Sequence, residues 1–89
     1  MHFVYVLLSE SMDFYVGYTT DFDHRVHEHN SGANRSTKGK KWKLVFYEAY
    51  ASKADALSRE RKLKQCGQSK RFLKQRIQRS VEQISKIIG

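Results

Sequence analysis

Two runs of apolar and β-branched residues near the start of the chain predict a pair of strands. Residues 3–8 are apolar on both faces, which is typical of a central strand, and residues 14–19 are again β-branched and aromatic. The polar residues 9–13 between them are expected to form the loop of a β-hairpin. A third strand is predicted from Trp42 to Tyr50.

Helical signals follow the hairpin. Residues 20–23 have the pattern of an N-cap followed by acidic residues in the first turn, and Gly32 is expected to end this first helix. Residues 33–41 are rich in Gly, Ser and Lys and are predicted to form a loop. The first helix therefore lies between the hairpin and the third strand.

Two more helices are predicted after the third strand. Residues 52–55 have a capping pattern that starts a second helix, which is expected to run to about Cys66. Gly67 is expected to break it before a third helix from about Ser69 to Ile88. The predicted fold is α/β (α+β), with a small mixed or antiparallel three-stranded sheet flanked by helices.

The last part of the chain carries its own apolar stripe. Its members are Leu73, Ile77, Val81, Ile84 and Ile88. The stripe is expected either to cover the sheet or to pair with a second copy of the chain as a homodimer. We predict one domain over residues 1–89, in which residues 75–89 form a helical C-terminal extension.

Charge is distributed unevenly along these 89 residues, which carry a net charge of +8. Residues 1–33 hold five acidic side chains against Arg25 alone, whereas residues 34–80 hold fifteen Lys and Arg against three acidic side chains. A single basic face is the expected footprint of a polyanion-binding protein. A solvated surface that favours solubility is the alternative for net charge taken by itself.

Cysteine content and hydropathy indicate the compartment. Cys66 is the only cysteine, which excludes an internal disulfide and favours a reducing environment. No stretch approaches the roughly 18 apolar residues of a membrane span. The first residues lack the pattern of a signal peptide. We therefore expect a cytoplasmic protein without a membrane partner.

Helical periodicity gives two charged residues unusual positions. In the first helix Phe22, Val26 and His29 share a stripe with Arg25, so this Arg borders the buried side. A guanidinium there can hold a phosphoryl oxygen bidentately. The alternative is an ordinary ion pair with Asp21 or Glu28.

Glu60 is the second such residue. Ala54, Leu57, Glu60 and Leu63 follow one another at three-residue steps along one face of the second helix. The basic side chains of Lys53, Arg59, Arg61 and Lys62 are expected largely elsewhere. A carboxylate in an apolar stripe must be compensated. A divalent cation is one candidate, and a salt bridge to Lys64 at i+4 is the other.

Basic residues that are expected on the surface are candidates for nucleic-acid contacts. The predicted loop is cationic and could grip phosphates, and the third helix extends the basic surface. Trp42, beside the loop, is expected either to stack on an unpaired base or to pack at the strand start. The nucleic-acid-binding candidates are Arg35, Lys38, Lys40, Lys41, Lys64, Lys70 and Arg71.

One combination of residues adds a family resemblance. Tyr5 in the first strand is followed ten residues later by Tyr15-Val16-Gly17, then by Arg25 and much later by Glu60. Over roughly residues 2–74 this order resembles the signature of the GIY-YIG nuclease family. It is closest to small stand-alone bacterial members related to the nuclease domain of UvrC. Phe3 stands where the signature has Gly, and no Asn follows Asn34.

The resemblance implies a function and a site. It implies a Mg²⁺-dependent (or Mn²⁺-dependent) endonuclease that hydrolyses DNA phosphodiester bonds in repair or in processing of DNA structures. RNA stays open as a partner. The catalytic residues would be Tyr5, Tyr15, Arg25, His29 and Glu60, with Glu60 as the single metal ligand. The alternative is a non-catalytic nucleic-acid binding module.

The resemblance also assigns chemical roles. Tyr5 and Tyr15 would line the site and orient or deprotonate the attacking water. An ordinary Tyr titrates near pH 10, so nearby Arg25 and the metal are expected to favour the phenolate. The alternative for either Tyr is core packing with a satisfied hydroxyl. Gly17 is expected to allow close approach to its backbone.

Overall fold

The three predicted strands form one antiparallel sheet. A computed structural model describes residues 1–31 and 39–88 and contains strands β1 (His2–Ser9), β2 (Phe14–Thr19) and β3 (Trp42–Tyr50). Their order in the sheet is β2-β1-β3, and β1 pairs antiparallel with both neighbours. The central position of β1 explains why its residues are apolar on both faces.

The β1–β2 loop is closed by hydrogen bonds to Ser9. Its Oγ accepts from the backbone N–H groups of Ser11 at 3.1 Å and Asp13 at 3.0 Å, and Met12 adopts a left-handed conformation with φ of 66°. The loop also contacts the residues before β3. The N–H of Glu10 donates to the carbonyl of Lys41 at 3.3 Å, and Lys40 forms an ion pair with Asp13.

A bulge divides β3 into two parts. Val6 of β1 is paired with Phe46, whereas the next residue, Leu7, is paired with Leu44, so Val45 is an extra residue in β3. Trp42 and Leu44 consequently pack with Tyr5 and Leu7 on one face of the sheet, while Val45 and Phe46 pack against the core of the other face.

Helix α1 (Phe22–Ser31) covers the face that carries Tyr5 and Leu7. Its N-terminus is capped as predicted, because the Asp21 carboxylate accepts from the N–H of His24 at 3.2 Å. The predicted end of this helix at Gly32 lies outside the described residues. So does most of the predicted loop, including Arg35 and Lys38.

The opposite face carries helices α2 (Lys53–Gln65), α3 (Gly67–Arg76) and α4 (Gln78–Ile88). Ser52 caps α2 as predicted, accepting from the N–H of Asp55 at 3.3 Å. The core of this face consists of Val4, Val6, Val16, Ala56, Leu63, Leu73 and Ile77.

The inner face of α2 differs from the predicted stripe. Ala56 and Leu63 are the buried residues of α2, while Ala54 is exposed. Arg59, expected away from the packed face, is half-buried against β3. The difference arises because a seven-residue spacing spans two turns and follows the packed line of the helix more closely than steps of three.

The predicted third helix over residues 69–88 is in fact two helices. It begins at Gly67, and Ile77 (φ −107°, ψ 22°) separates α3 from α4. The N–H of Ile77 still bonds to the carbonyl of Leu73 at 3.0 Å, and the N–H of Val81 to that of Ile77 at 2.9 Å. The helical conformation is therefore interrupted at one buried residue, which is neither Gly nor Pro.

The apolar stripe of α4 covers the sheet. Val81 packs against the core, and Ile84 lies beside Val45 of β3. Covering the sheet, the first of the two expected roles, is therefore what this stripe does. Within residues 1–31 and 39–88, no helix has both the length and the apolar character that a membrane crossing requires.

Candidate active site

Tyr5 lies across Gly17. The two residues are partners in the β1–β2 register. A Cβ atom at position 17 would come within 2.8 Å of Cε1 of Tyr5, and closer still to Cζ and Oη. The predicted close approach at Gly17 is therefore made by a tyrosine ring, which only a residue without a side chain allows.

The Tyr5 hydroxyl meets His29 of α1. Oη and Nε2 are 3.0 Å apart, and both side chains are buried, with 2% and 1% exposure. Burial and then the charge of Arg25 lower the pKa of His29 from its ordinary 6.5, so the imidazole is neutral at pH 7. We assign the phenol as the donor and Nε2 as the acceptor, which satisfies both groups.

The pKa of Tyr5 is raised above its ordinary value of 10.0, so the hydroxyl ionises less readily. Burial is the main cause that raises this pKa, and Tyr15 and Glu60 add to it. Arg25 acts in the opposite direction, as expected, but burial outweighs it. In the free protein Tyr5 is therefore a neutral phenol with its proton directed at His29.

Tyr15 forms the next wall of the site. Its ring centroid lies 4.6 Å from that of His29 and 6.2 Å from that of Trp42. The ammonium of Lys64 lies 5.9 Å from the Tyr15 centroid, within cation–π distance. Trp42 is only 4% exposed, so it packs at the strand start, which was one of its two expected roles.

Arg25 borders the buried cluster, as helical periodicity predicts. Its side chain is 41% exposed, and Nη1 lies 3.4 Å from Oε2 of Glu28. Glu28 also binds His24, whose Nε2 is 2.7 Å from Oε1. The ion pair with Glu28 was the alternative role of Arg25. Because Arg25 also shifts the pKa values of Tyr5 and His29, its charge is close to both.

Glu60 reaches the same cluster from α2. Its side chain is 20% exposed, and Nζ of Lys64 lies 3.4 Å from Oε2, so the expected alternative salt bridge is present. The negative charge of Glu60 is near enough to raise the pKa of Tyr5. Lys64 thus contacts both Glu60 and the ring of Tyr15.

The donor set around Glu60 fits a hard cation that keeps most of its waters. Among the described residues, no three His, Cys, Asp or Glu side chains gather as a metal-binding group. A half-buried single carboxylate matches Mg²⁺, which takes one or two carboxylates and completes its shell with water and phosphate oxygens.

The structure therefore brings the five predicted catalytic residues together from β1, β2, α1 and α2. The basic candidates are more dispersed. Lys64 is at the site, and Lys70 and Arg71 are on α3, where Arg71 lies 5.6 Å from the ring centroid of Phe72. Lys40 and Lys41 precede β3, and Lys40 is already paired with Asp13.

Two contacts near the site have no local signal in the sequence. The Asn30 amide brackets the start of β3, accepting from the N–H of Trp42 at 2.7 Å and donating to its carbonyl at 3.0 Å. Arg59 of α2 forms a two-pronged ion pair with Glu48 of β3. Both join residues more than ten positions apart, which helical or strand periodicity does not reveal.

The fold is that of a GIY-YIG domain. The family described as the GIY-YIG catalytic domain matches residues 1–75, and the chain belongs to this family. The family is one of nucleases, so nucleic acid is the class of substrate that its fold serves.

Relatives refine the comparison. The chain is 40% identical over 65 residues to a UPF0213 protein of Haloquadratum walsbyi, covering 71% of this chain and 73% of that protein. It is 38% identical over 73 residues to a UPF0213 protein of Halobacterium salinarum, covering 80% and 95%. The solution NMR structure of the UPF0213 protein BH0048 from Bacillus halodurans has a TM-score of 0.52 at 35% identity, covering 81% of this chain and 79% of that one.

Proposed function

We propose that the protein is a metal-dependent endonuclease that hydrolyses phosphodiester bonds in DNA, in repair or in processing of DNA structures. The observation that carries the proposal is the buried hydrogen bond between Tyr5 and His29, which lies over Gly17 and within electrostatic reach of Arg25 and Glu60. Two hydrogen-bonded groups with shifted pKa values, here Tyr5 and His29, are typical of functional sites.

Tyr5 and His29 would orient the attacking water. Because the pKa of His29 is lowered, its imidazole is neutral, and Nε2 accepts the hydrogen bond of the Tyr5 hydroxyl. The Tyr5 oxygen keeps a lone pair that would accept a hydrogen bond from the water. Tyr15, packed against His29, fixes the imidazole in this orientation.

Arg25 would bind the phosphoryl group. Its guanidinium is half-exposed and separated by 3.4 Å from Glu28, so a phosphate can compete for it. A bidentate contact offsets the charge that grows on the phosphoryl oxygens in the transition state.

Glu60 would hold a Mg²⁺ or Mn²⁺ ion, which supplies charge neutralisation at the phosphate and the leaving oxygen. Lys64 beside it would contact the same phosphate, because its ammonium is already held between Glu60 and Tyr15.

A second candidate function is a non-catalytic nucleic-acid binding module. The observation in its favour is the Glu60–Lys64 ion pair, since a carboxylate compensated in this way does not require a cation. Both functions use the same basic surface, so only cleavage separates them.

The deciding experiment is Glu60→Gln. We expect the change to abolish metal-dependent cleavage and leave nucleic-acid binding largely intact, because Gln keeps the volume of Glu but lacks the charge that a hard cation requires. Nicking of supercoiled, branched and single-stranded DNA, and cleavage of RNA, would be measured with Mg²⁺ and with Mn²⁺. Glu82→Gln, at an exposed position of α4, is the matched control.

Two outcomes would change the conclusion. If wild type cuts no substrate yet binds DNA with strong salt dependence, the binding module is the better conclusion. If Glu60→Gln cuts as well as wild type, the metal assignment fails.

Arg25→Ala should lower the cleavage rate by about 10²-fold or more, with a much smaller loss of affinity. The control Arg79→Ala, at an exposed position, should leave the rate unchanged.

A further inference from the structure

Glu48 and Arg59 connect β3 to α2 on the face of the sheet that carries α2. Nε of Arg59 donates to Oε1 of Glu48 at 2.9 Å, and Nη2 donates to Oε2 at 3.2 Å. The Tyr50 hydroxyl also donates to Oε1, at 2.6 Å. The Arg59 and Glu48 side chains are only 29% and 22% exposed. We refer to Glu48, Tyr50 and Arg59 together as the β3–α2 clamp.

The clamp fixes the position of α2 on β3 more than it adds to the stability of the fold. Removing two charges from water costs free energy that their attraction roughly returns, so a half-buried ion pair is weak support for a fold. A guanidinium that meets a carboxylate along two parallel bonds, however, is fixed in both position and orientation. The Tyr50 hydroxyl restricts the carboxylate further.

The buried apolar contacts between α2 and the sheet leave one motion open. Ala56 and Leu63 are fully buried and lie two turns apart on one line along the helix. Apolar contacts of this kind are non-directional. They set how closely α2 approaches the sheet but only weakly oppose its rotation about its own axis. Arg59 lies between them in sequence and away from that line, where it can oppose the rotation.

Rotation of α2 would displace Glu60. Glu60 follows Arg59 directly, about 100° further around the helix. A carboxylate about 6 Å from the axis moves by about 1 Å for each 10° of rotation, given a helix radius near 2.3 Å at Cα. A misplacement of about 1 Å at a reacting centre can cost 10²-fold in rate.

We propose that the β3–α2 clamp positions the Glu60 carboxylate for a divalent cation by fixing the rotation of α2. The inference rests on the proposed function to the extent that Glu60 is taken to bind the cation. Glu48, Tyr50 and Arg59 touch neither substrate nor metal and are positioning residues. Their task is to transmit the rigidity of β3 to the side of α2 that carries Glu60.

The test uses two conservative variants and a control. Arg59→Lys keeps the charge and removes the two-pronged contact, while Glu48→Gln keeps hydrogen bonding and removes the charge. Arg61→Lys, at an exposed position of the same helix, is the control. Mn²⁺ would be titrated into the full chain, and its paramagnetic broadening of the Glu60 side-chain NMR signal would give a dissociation constant without any cleavage assay.

We expect both variants to raise the dissociation constant for Mn²⁺ about 10-fold or more, as loss of groups that orient metal ligands does, while Arg61→Lys matches wild type. The Mg²⁺ concentration for half-maximal cleavage should rise in parallel, with DNA affinity unchanged. If Glu48→Gln does not fold, Arg59→Lys and Tyr50→Phe provide the same comparison.

Two results would overturn the proposal. In the first, the variants melt at lower temperature but bind Mn²⁺ at Glu60 as tightly as wild type, so the clamp only stabilises the fold. In the second, Mn²⁺ does not broaden the Glu60 signal of wild type at all. If instead wild type binds Mn²⁺ at Glu60, the variants bind it weakly, and no protein cuts nucleic acid, the positioning role stands and the proposed function fails.

Discussion

Gly17 has little tolerance for a side chain, and the reason lies in one neighbour. A methyl group there would overlap the Tyr5 ring. We expect Gly17→Ala to lower the free energy of unfolding by about 1–3 kcal/mol, the usual cost of overpacking, and to move Tyr5 away from His29. Urea denaturation measures the first effect, and the NMR signals of the His29 ring report the second.

Gly67→Ala is the matched control for this change. A Cβ at position 67 would meet nothing within 4 Å, and the residue lies at the start of α3. Ala should therefore stabilise the protein by up to about 1 kcal/mol through its better helix propensity. Equal effects of the two substitutions would contradict the role assigned to the Tyr5 ring.

His29 should make stability depend on pH. Its pKa is lowered in the folded protein from the ordinary 6.5. Between those two values the unfolded chain binds more protons than the folded one, so the free energy of unfolding falls as pH falls through 6.5 and below. Above about pH 7 the full contribution is present.

The variant His29→Gln removes this titration and keeps a hydrogen-bonding group opposite Tyr5. Urea denaturation at pH 7.5 and pH 5.5 should show a smaller loss of stability for the variant than for wild type on acidification. An identical loss in both proteins would mean that other groups account for the acid sensitivity.

Residue-level expectations were accurate where periodicity and motif agreed. Arg25 borders the buried side of α1 and Glu60 is half-buried on α2, as predicted, although Ala54 of the predicted α2 stripe is exposed. The contact of Arg59 with Glu48 was not predicted, because it joins a helix to a strand. No local pattern encodes which residue of a helix meets which residue of a strand.

At the scale of elements, removal of α4 tests whether its apolar stripe covers the sheet or joins two copies of the chain. Val81, Ile84 and Ile88 are partly buried, so ending the chain after Arg79 should lower the free energy of unfolding by about 2–4 kcal/mol. The number of chains in the particle should not change, so its mass should fall only by that of the deleted residues. Calorimetry and light scattering measure the two quantities. A halved mass would instead show that α4 joins two copies.

Single substitutions in α4 separate packing from helix length. Val81→Ala should destabilise the protein, because Val81 packs on the core, whereas Ile87 is 63% exposed and its change to Ala should be nearly neutral. If both changes were neutral, α4 would contribute nothing through its apolar stripe.

The strands and the first two helices were predictable because strand runs, caps and Gly67 are local signals. The break between α3 and α4 was not, since Ile77 is an ordinary helix residue in isolation. The helix is interrupted there, where the Ile77 side chain is buried in the same core as Leu73 and α4 packs on β3. Tertiary packing decided that boundary.

At the scale of the whole molecule, the charge of +8 predicts salt-dependent binding to nucleic acid. The logarithm of the binding constant should fall with the logarithm of salt concentration with a slope of about −0.9 for each phosphate contacted in duplex DNA. Fluorescence anisotropy at several salt concentrations gives the slope. A flat response would contradict nucleic-acid binding in either proposed function.

Lys40 and Lys41 provide an internal comparison for that slope. Lys40 is held by Asp13, whereas the Lys41 side chain is exposed. Lys41→Ala should reduce the slope by about 0.9 if it contacts one phosphate, and Lys40→Ala should reduce it less. Asp13→Asn should release Lys40 and tighten binding, while the equal charge change Glu82→Gln at exposed α4 should have a smaller effect.

The bulge at Val45 limits which single-residue insertions and deletions the protein can tolerate. Trp42, which packs behind Tyr15, and Glu48, which holds Arg59, are both even-numbered positions of β3, yet they point to opposite faces of the sheet. Only the extra residue between them makes that possible. A one-codon deletion within residues 44–46 would therefore force a choice between the aromatic wall and the clamp, whereas an insertion or deletion at the exposed 10–13 turn would spare both.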